Sequence, residues 1–337
     1  MSEWELGEAE LSAILERDIL PACFPSEQAS ATPMLVVLAG QPGAGRSRAV
    51  RVAMADHGDD LAVINSDDLR AFHPRLGELE RSRLPEAAQA LGRATASWVS
   101  GCIRYARKNR RSLLLDGSFN DPSVVIATAA RFAAEGFRTR VVVVASRRAE
   151  SMLSVLSLHL RSVQAGEPAR SVSGEVHDRG FDATRTLVAE LEAAASVDRL
   201  TVVSRDGRIV FDADRAGGDD AFRGAGAALV AAQSARMGRF DATQWLSELN
   251  HVTGFAASRR DLPRDVTQVL VELHETSLRE VIPELHVPAD GKFATAMEQR
   301  TVARLVALRR ALQTEPTVDA AAPVVAPTGP ERGGISR

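Results

Sequence analysis

The sequence predicts an α/β fold: a parallel sheet with helices on both faces, followed by a mostly helical C-terminal region. Three observations carry this. Short continuous apolar runs, "MLVVLAG" (34–40), "DLAVIN" (60–65), "RSLLLDGS" (111–118) and "RTRVVVVAS" (138–146), read as buried parallel strands. Helical stretches alternate with them, the pattern of crossover connections. After residue 215 apolar residues instead recur every three or four positions.

In chain order, Leu6, Leu11, Ile14, Leu15 and Ile19 fall near helical spacing, so residues 5–20 form a helix that packs on something. A connector, "PACFPSEQASATP", leads into the first strand. A helix is expected from Ser47, and a long one over 86–109. Pro122 starts a helix that Gly136 stops. Further helices are expected over 149–165 and 182–196. "RLTVVSRDGRIVFDAD" holds two strand-like runs split by Asp206-Gly207, a hairpin signal. The expected organisation is an N-terminal helix and connector (1–30), a core domain (31–215), a helical region (216–313) and a Pro-, Ala- and Gly-rich tail (314–337) that reads as disordered.

A formal net charge of −3 gives no basic surface for nucleic acid, and aromatics at 4% leave little for base stacking. Cys23 and Cys102 lack metal spacing and are expected as free thiols. The N-terminus has no basic and apolar leader pattern, and no apolar run approaches the ~18 residues of a membrane helix. A cytoplasmic protein without nucleic-acid or membrane partners is expected.

Chemistry concentrates at strand ends. Gly40, Gln41, Pro42, Gly43, Ala44, Gly45, Arg46 and Ser47 follow a strand and precede a helix, the context of a phosphate-binding loop. Glycines there let backbone N–H groups converge on phosphate, and Ser47 is a candidate Mg²⁺ ligand. Arg46 stands where such loops carry lysine. Asp67 and Asp68 sit just past the second strand, where a carboxylate can take a proton from a hydroxyl being phosphorylated, or simply cap a helix. Asp116 ends the third strand, as a metal-supporting carboxylate or an ordinary Asp-Gly turn. Arg161 and Arg170 are candidate cations for the moving phosphoryl group, or solvated charges on a helix.

Together, "GQPGAGRS", "VINSDDLRAFHP", "LLLDGSFND" and "GEPARSVSGEVHD" resemble the zeta toxin family, P-loop kinases of bacterial toxin–antitoxin systems, over about residues 34–212. The resemblance implies a P-loop kinase-like fold, ATP or GTP with Mg²⁺ as cofactors, and phosphorylation of the 3′-hydroxyl of UDP-N-acetylglucosamine. It also implies an epsilon-like antitoxin partner. The extra length and helical character of 216–313 raise the alternative of a segment inhibiting in cis, with the N-terminal helix, 3–20, as its rival. By the same resemblance Asp67 matches the catalytic base, and Asp116 an acidic position beside sugar and metal. Ser118 stands for a sugar-contacting threonine, and Arg170 for one of two phosphate-binding arginines. The other is expected near Leu158, with Arg161 the nearest arginine. His177 and Asp178 fit the family pattern as structural residues.

Two departures stand out. Arg46 keeps the lysine's charge but changes its reach. The helix over 94–103 offers Ser97 and Ser100 where the family has a glutamate holding the sugar. Two rivals remain beside the nucleotide-sugar kinase. One is a P-loop kinase of the chloramphenicol-phosphotransferase type with an antibiotic acceptor. The other is a degenerate nucleotide-binding module, motivated by Arg46 and the missing acid.

Overall fold

The computed structural model describes residues 4–25, 29–55, 61–82, 84–167, 172–259, 262–285 and 291–314. Of the expected tail, 314–337, all but Thr314, which ends the last helix, lies outside the described residues, and so does Arg170. The elements in order are α1 (Glu8–Ile14), α2 (Leu20–Cys23), β1 (Met34–Ala39), α3 (Arg46–Ala55), β2 (Ala62–Asn65), α4 (Ser66–Leu69), α5 (Leu76–Arg81), α6 (Pro85–Lys108), β3 (Leu113–Gly117), α7 (Pro122–Ala134), β4 (Arg138–Ala145), α8 (Arg148–Ala165), α9 (Gly174–Ala193), β5 (Arg199–Ser204), β6 (Ile209–Asp214), α10 (Ala225–Ser234), α11 (Arg239–Ala257), α12 (Arg264–Thr276) and α13 (Lys292–Thr314).

The sheet runs β2-β3-β1-β4-β5-β6, parallel throughout except for β6, which returns antiparallel along β5. Alternate residues of each strand face opposite layers. Leu35, Val37, Leu113, Leu115, Val141 and Val143 point to one side, under α6, α7, α9 and α10. Val36, Leu38, Leu114, Val142 and Val144 point to the other, where Ala49 and Ala53 of α3 cover them. Helices thus lie on both faces, as the sequence predicts. The first hairpin turn position matches as well, with Gly207 at φ +89° between β5 and β6.

Two helix boundaries differ from expectation, and the region after 215, open in the sequence between packing on the core and standing apart, packs on it. The N-terminal helix runs on to Cys23 through a π-turn, Leu15–Ile19, which turns Leu15 against Gly101 of α6. α9 begins at Gly174 rather than 182, because the Ser173 hydroxyl caps it by accepting from the Val176 N–H. The helical region after 215 does not stand apart: Phe222, Ala225 and Leu229 enter the sheet core, while α11 and α12 build a second core on α8. In that second core Ala149, Met152, Leu153, Leu156 and Leu160 of α8 meet Trp245, Leu246, Leu249, Val269, Leu270 and Leu273. Both cysteines are free thiols.

Candidate active site

Three neighbouring strands end level. Asn65 of β2 and Leu38 of β1 both pair with Asp116 of β3, so the residues after each strand emerge at one edge of the sheet. This is the carboxyl edge, where open α/β sheets hold ligands. It collects the loop 40–47, the turn to Asp67, and Asp116 with Ser118.

The loop is shaped by positive backbone angles and by close neighbours. Gly43 (φ +75°) and Gly45 (φ +95°) adopt conformations that side chains disfavour. A Cβ on Gly43 would lie 2.2 Å from the Ser151 carbonyl oxygen, so the loop runs hard against α8. Gly180 of α9 approaches Pro42 from another side. Gln41 is fully buried, and its Nε2 donates to Ser146 O at 3.0 Å and to Ser151 Oγ at 3.3 Å. Ser47 is exposed on the first turn of α3, open to a ligand.

Arg46 does not extend into solvent. Its Nε donates to Asp116 Oδ1 at 2.6 Å, and its Nη1 to Gly40 O at 2.8 Å, Ser118 Oγ at 2.9 Å and Gln41 O at 3.3 Å. Asn65 Nδ2 donates to the other Asp116 oxygen at 2.7 Å. The pair is well shielded, with the Arg46 and Asp116 side chains 16% and 7% exposed. A forked guanidinium can hold a carboxylate, a hydroxyl and two carbonyls at once, which an ammonium cannot do from one point. Asp116 is therefore part of a polar cluster and not merely a strand-ending turn.

Asn65, and not Asp67 or Asp68, caps the helix that follows β2. Its Oδ1 accepts from the Asp67 N–H at 2.8 Å, making Asn65 the N-cap of α4. The Asp67 carboxylate is not spent on the cap, and the residue is half-buried beside the cluster's Asn65.

Two expected site residues are placed elsewhere. Arg161 donates to Glu248 of α11 at 2.8 Å from a side chain 63% exposed, so its described partner is the C-terminal region and not the loop. Ser100 is exposed, because α6 buries the stripe Ala94, Trp98, Gly101 and Cys102, and a residue two positions after Trp98 points about 200° away. His177 is buried, where Nε2 meets Ser151 Oγ at 2.8 Å and Nδ1 meets Asp178 Oδ1 at 3.1 Å. Burial holds this imidazole below its ordinary pKa, with Asp178 opposing.

The sequence reasoning missed three arginines. Arg205, at the end of β5, reaches the loop and donates to Gly43 O at 2.5 Å. "SRDGR" signalled only a turn, and nothing local in it pointed toward residue 43. Arg147 and Arg148, at the start of α8, are held by the C-terminal region. Arg147 Nη1 donates to Glu284 at 2.6 Å, and Arg148 donates to both Asp178 and Glu272. The Trp245 indole N–H adds a bond to Ala149 O at 3.0 Å. Among the described residues no group of His, Cys, Asp and Glu is arranged to hold a metal by itself, and no helix is long and apolar enough to cross a membrane.

A mostly parallel sheet whose first strand feeds a glycine-rich loop and helix, with carboxylates at the adjacent strand ends, defines a P-loop kinase-like fold. Residues 21–216, more than half of the chain, match the zeta toxin family model, and the chain belongs to that family. It is 23% identical over 188 residues to Toxin PezT of Streptococcus pneumoniae, covering 55% of this chain and 74% of the relative. With Toxin zeta of Enterococcus hirae it shares 21% over 192 residues, covering 56% and 67% respectively. Among solved structures, one from the PezAT chromosomal toxin–antitoxin system of Streptococcus pneumoniae superposes with a TM-score of 0.63 at 18% identity. That match covers 74% of this chain and 98% of the other, and extends the likeness of fold beyond the region of the family model.

Proposed function

We propose that this protein is a toxin-type kinase that transfers the γ-phosphate of ATP or GTP to a hydroxyl of UDP-N-acetylglucosamine or a related nucleotide sugar. The observation that carries the reading is the meeting of the loop, Asp67 and Asp116 at three level strand ends. In this reading the loop N–H groups and the start of α3 receive the donor phosphates. Asp67 takes the proton of the acceptor hydroxyl as its oxygen attacks phosphorus. Ser118 and Asp116 orient the acceptor, and Arg170 contributes charge to the phosphates.

Mg²⁺ fits the exposed Ser47 hydroxyl together with phosphate oxygens and water. Asp116, whose two oxygens accept from Arg46 and Asn65, would support the ion through water or through Ser47. When bound, the ion supplies charge neutralisation to the phosphates. The fold's likeness to a toxin from a toxin–antitoxin system supports a separate antitoxin as partner. The N-terminal segment is committed to α6, where the Trp98 indole N–H donates to Leu11 O, and the C-terminal helices are committed to α8. Both favour structural roles over cis-inhibition.

A second reading, a nucleotide-binding module without turnover, is favoured by one observation: Arg46 spends its charge on Asp116. One experiment separates them. The protein is incubated with ATP, Mg²⁺ and UDP-N-acetylglucosamine, product mass is read by mass spectrometry, and ADP binding is measured by calorimetry in parallel. Product carrying one added phosphate supports the kinase. Binding without product on any nucleotide sugar supports the module.

A further inference from the structure

Two arginines meet at the phosphate loop. Arg46, itself part of the loop, turns toward the end of β3, where Asp116 neutralises its charge. From the β5 side comes Arg205, whose Nη1 donates to Gly43 O at 2.5 Å and Ser146 Oγ at 3.4 Å, and whose Nη2 donates to Ser154 Oγ. Its Cγ would sit 3.4 Å from a Cβ on Gly45, so the side chain lies along the loop where its backbone turns. These bonds go to neutral acceptors, and among the described residues Arg205 forms no ion pair with a carboxylate. Burial pulls its pKa below the ordinary arginine value, with Glu150 opposing at longer range. Arginine nonetheless stays charged. This half-buried cation has neutral hydrogen-bond acceptors and Glu150 only at longer range, and it keeps N–H donors beyond the three acceptors it has found.

We infer that Arg205 is a donor-site cation: it braces Gly43 and gives the phosphates of a bound nucleoside di- or triphosphate the charge that Arg46 has surrendered to Asp116. The inference rests on the donor-nucleotide reading of the loop given above. It assigns to the β5–β6 hairpin a part in recognising the phosphates, where its sequence shows only a turn. The anion completes a site already built, because Ser146 and Ser154 fix the guanidinium before the ligand arrives, and pre-organised charge costs no reorganisation on binding.

The test compares the full chain with Arg205→Gln, Arg205→Lys and Ser154→Ala, titrating ADP and adenosine by calorimetry at two salt concentrations. Arg205→Gln is expected to weaken ADP at least tenfold, to leave adenosine within twofold, and to flatten the salt dependence of ADP binding by about one ionic contact. Arg205→Lys should recover part of the loss. Ser154→Ala, which keeps the charge but frees the fork, should weaken ADP about two- to fivefold. Equal weakening of ADP and adenosine with an unchanged salt dependence overturns the inference, because a brace alone gives that result. So does ADP affinity in Arg205→Gln within twofold of the parent. If the parent chain itself fails to bind ADP, the donor reading of the loop falls, and this inference falls with it. Thermal unfolding of each variant identifies any that is unfolded, and Ser154→Ala then carries the decision.

Discussion

Arg46 Nε and Asp116 Oδ1 lie 2.6 Å apart, joining the first residue of the loop's helix to the end of the neighbouring strand. This contact binds the residue that departs from the usual loop to one that the family resemblance assigns to metal and sugar. Little solvent reaches the pair, so its attraction is only weakly screened.

Replacing Arg46 with Lys is expected to raise phosphoryl transfer about tenfold or more. Lysine is a single point charge and cannot hold Gly40 O, Asp116 and Ser118 together. Asp116 and Ser118 are then released toward ligands. Initial rates with ATP, Mg²⁺ and UDP-N-acetylglucosamine check this, and a fall in rate would show a site adapted to arginine.

Arg46→Ala is expected to cost stability as well as function. It leaves a carboxylate 7% exposed with Asn65 as its described hydrogen-bond donor. Stranding one partner of a shielded pair costs about 2–4 kcal/mol. The midpoint of urea unfolding should fall, with the slope unchanged.

Asp67→Asn is expected to lower turnover about 10²- to 10⁴-fold while ADP affinity stays within twofold. The backbone N–H that Asn65 caps is retained, so α4 keeps its start. Equal loss of binding and turnover would place Asp67 in the donor site instead of beside the acceptor.

Glu284→Ala should destabilise the chain by about 2–4 kcal/mol. Its buried carboxylate accepts from Arg147 Nη1 at 2.6 Å and from the Met237 N–H at 3.1 Å. Removing it strands the Met237 amide and leaves Arg147 with Glu280 at 3.7 Å as its remaining partner, where α8 meets the C-terminal region. Deleting 216–337 goes further and bares the apolar stripe of α8, so the truncated chain should aggregate and lose ADP binding instead of becoming a freed toxin. Size-exclusion chromatography and calorimetry read both outcomes.

Stability should also fall in acid through His274. Burial pushes this imidazole down to about 4, against an ordinary value of 6.5. Between these values the unfolded chain takes up a proton that the folded chain refuses. Its contribution is therefore complete above pH ~6.5 and is lost as pH falls toward 4, by at most ~3 kcal/mol. His73 and His177 are lowered in the same direction, also chiefly by burial. His274→Leu should flatten the urea midpoint between pH 7 and 4.5, since Thr253 Oγ1 keeps its bond to Leu249 O.

Much of the fold was legible in the sequence because buried parallel strands are continuous apolar runs, and "LLLDG" or "MLVVLA" has few other readings. The placement of the loop and of Asp67 at the strand ends was legible because each follows its strand directly in sequence. Arg205 was not, since its reach to Gly43 crosses 162 residues of sequence. The amphipathic pattern of α11 and α12 announced a buried face but not its partner, and α8 was found only by folding the chain. Arg161 was misplaced for the same reason: Glu248, which holds it, lies 87 residues away.

The apolar residues of α8 have a consequence of their own. Ala149, Met152, Leu153, Leu156 and Leu160 all belong to the core shared with α11 and α12. The helix that presses on Gly43 is thus anchored by chain outside residues 21–216. Its backbone amides should exchange with solvent at the pace of C-terminal undocking, so the lifetime of the glycine loop's outer wall is set by helices beyond residue 216.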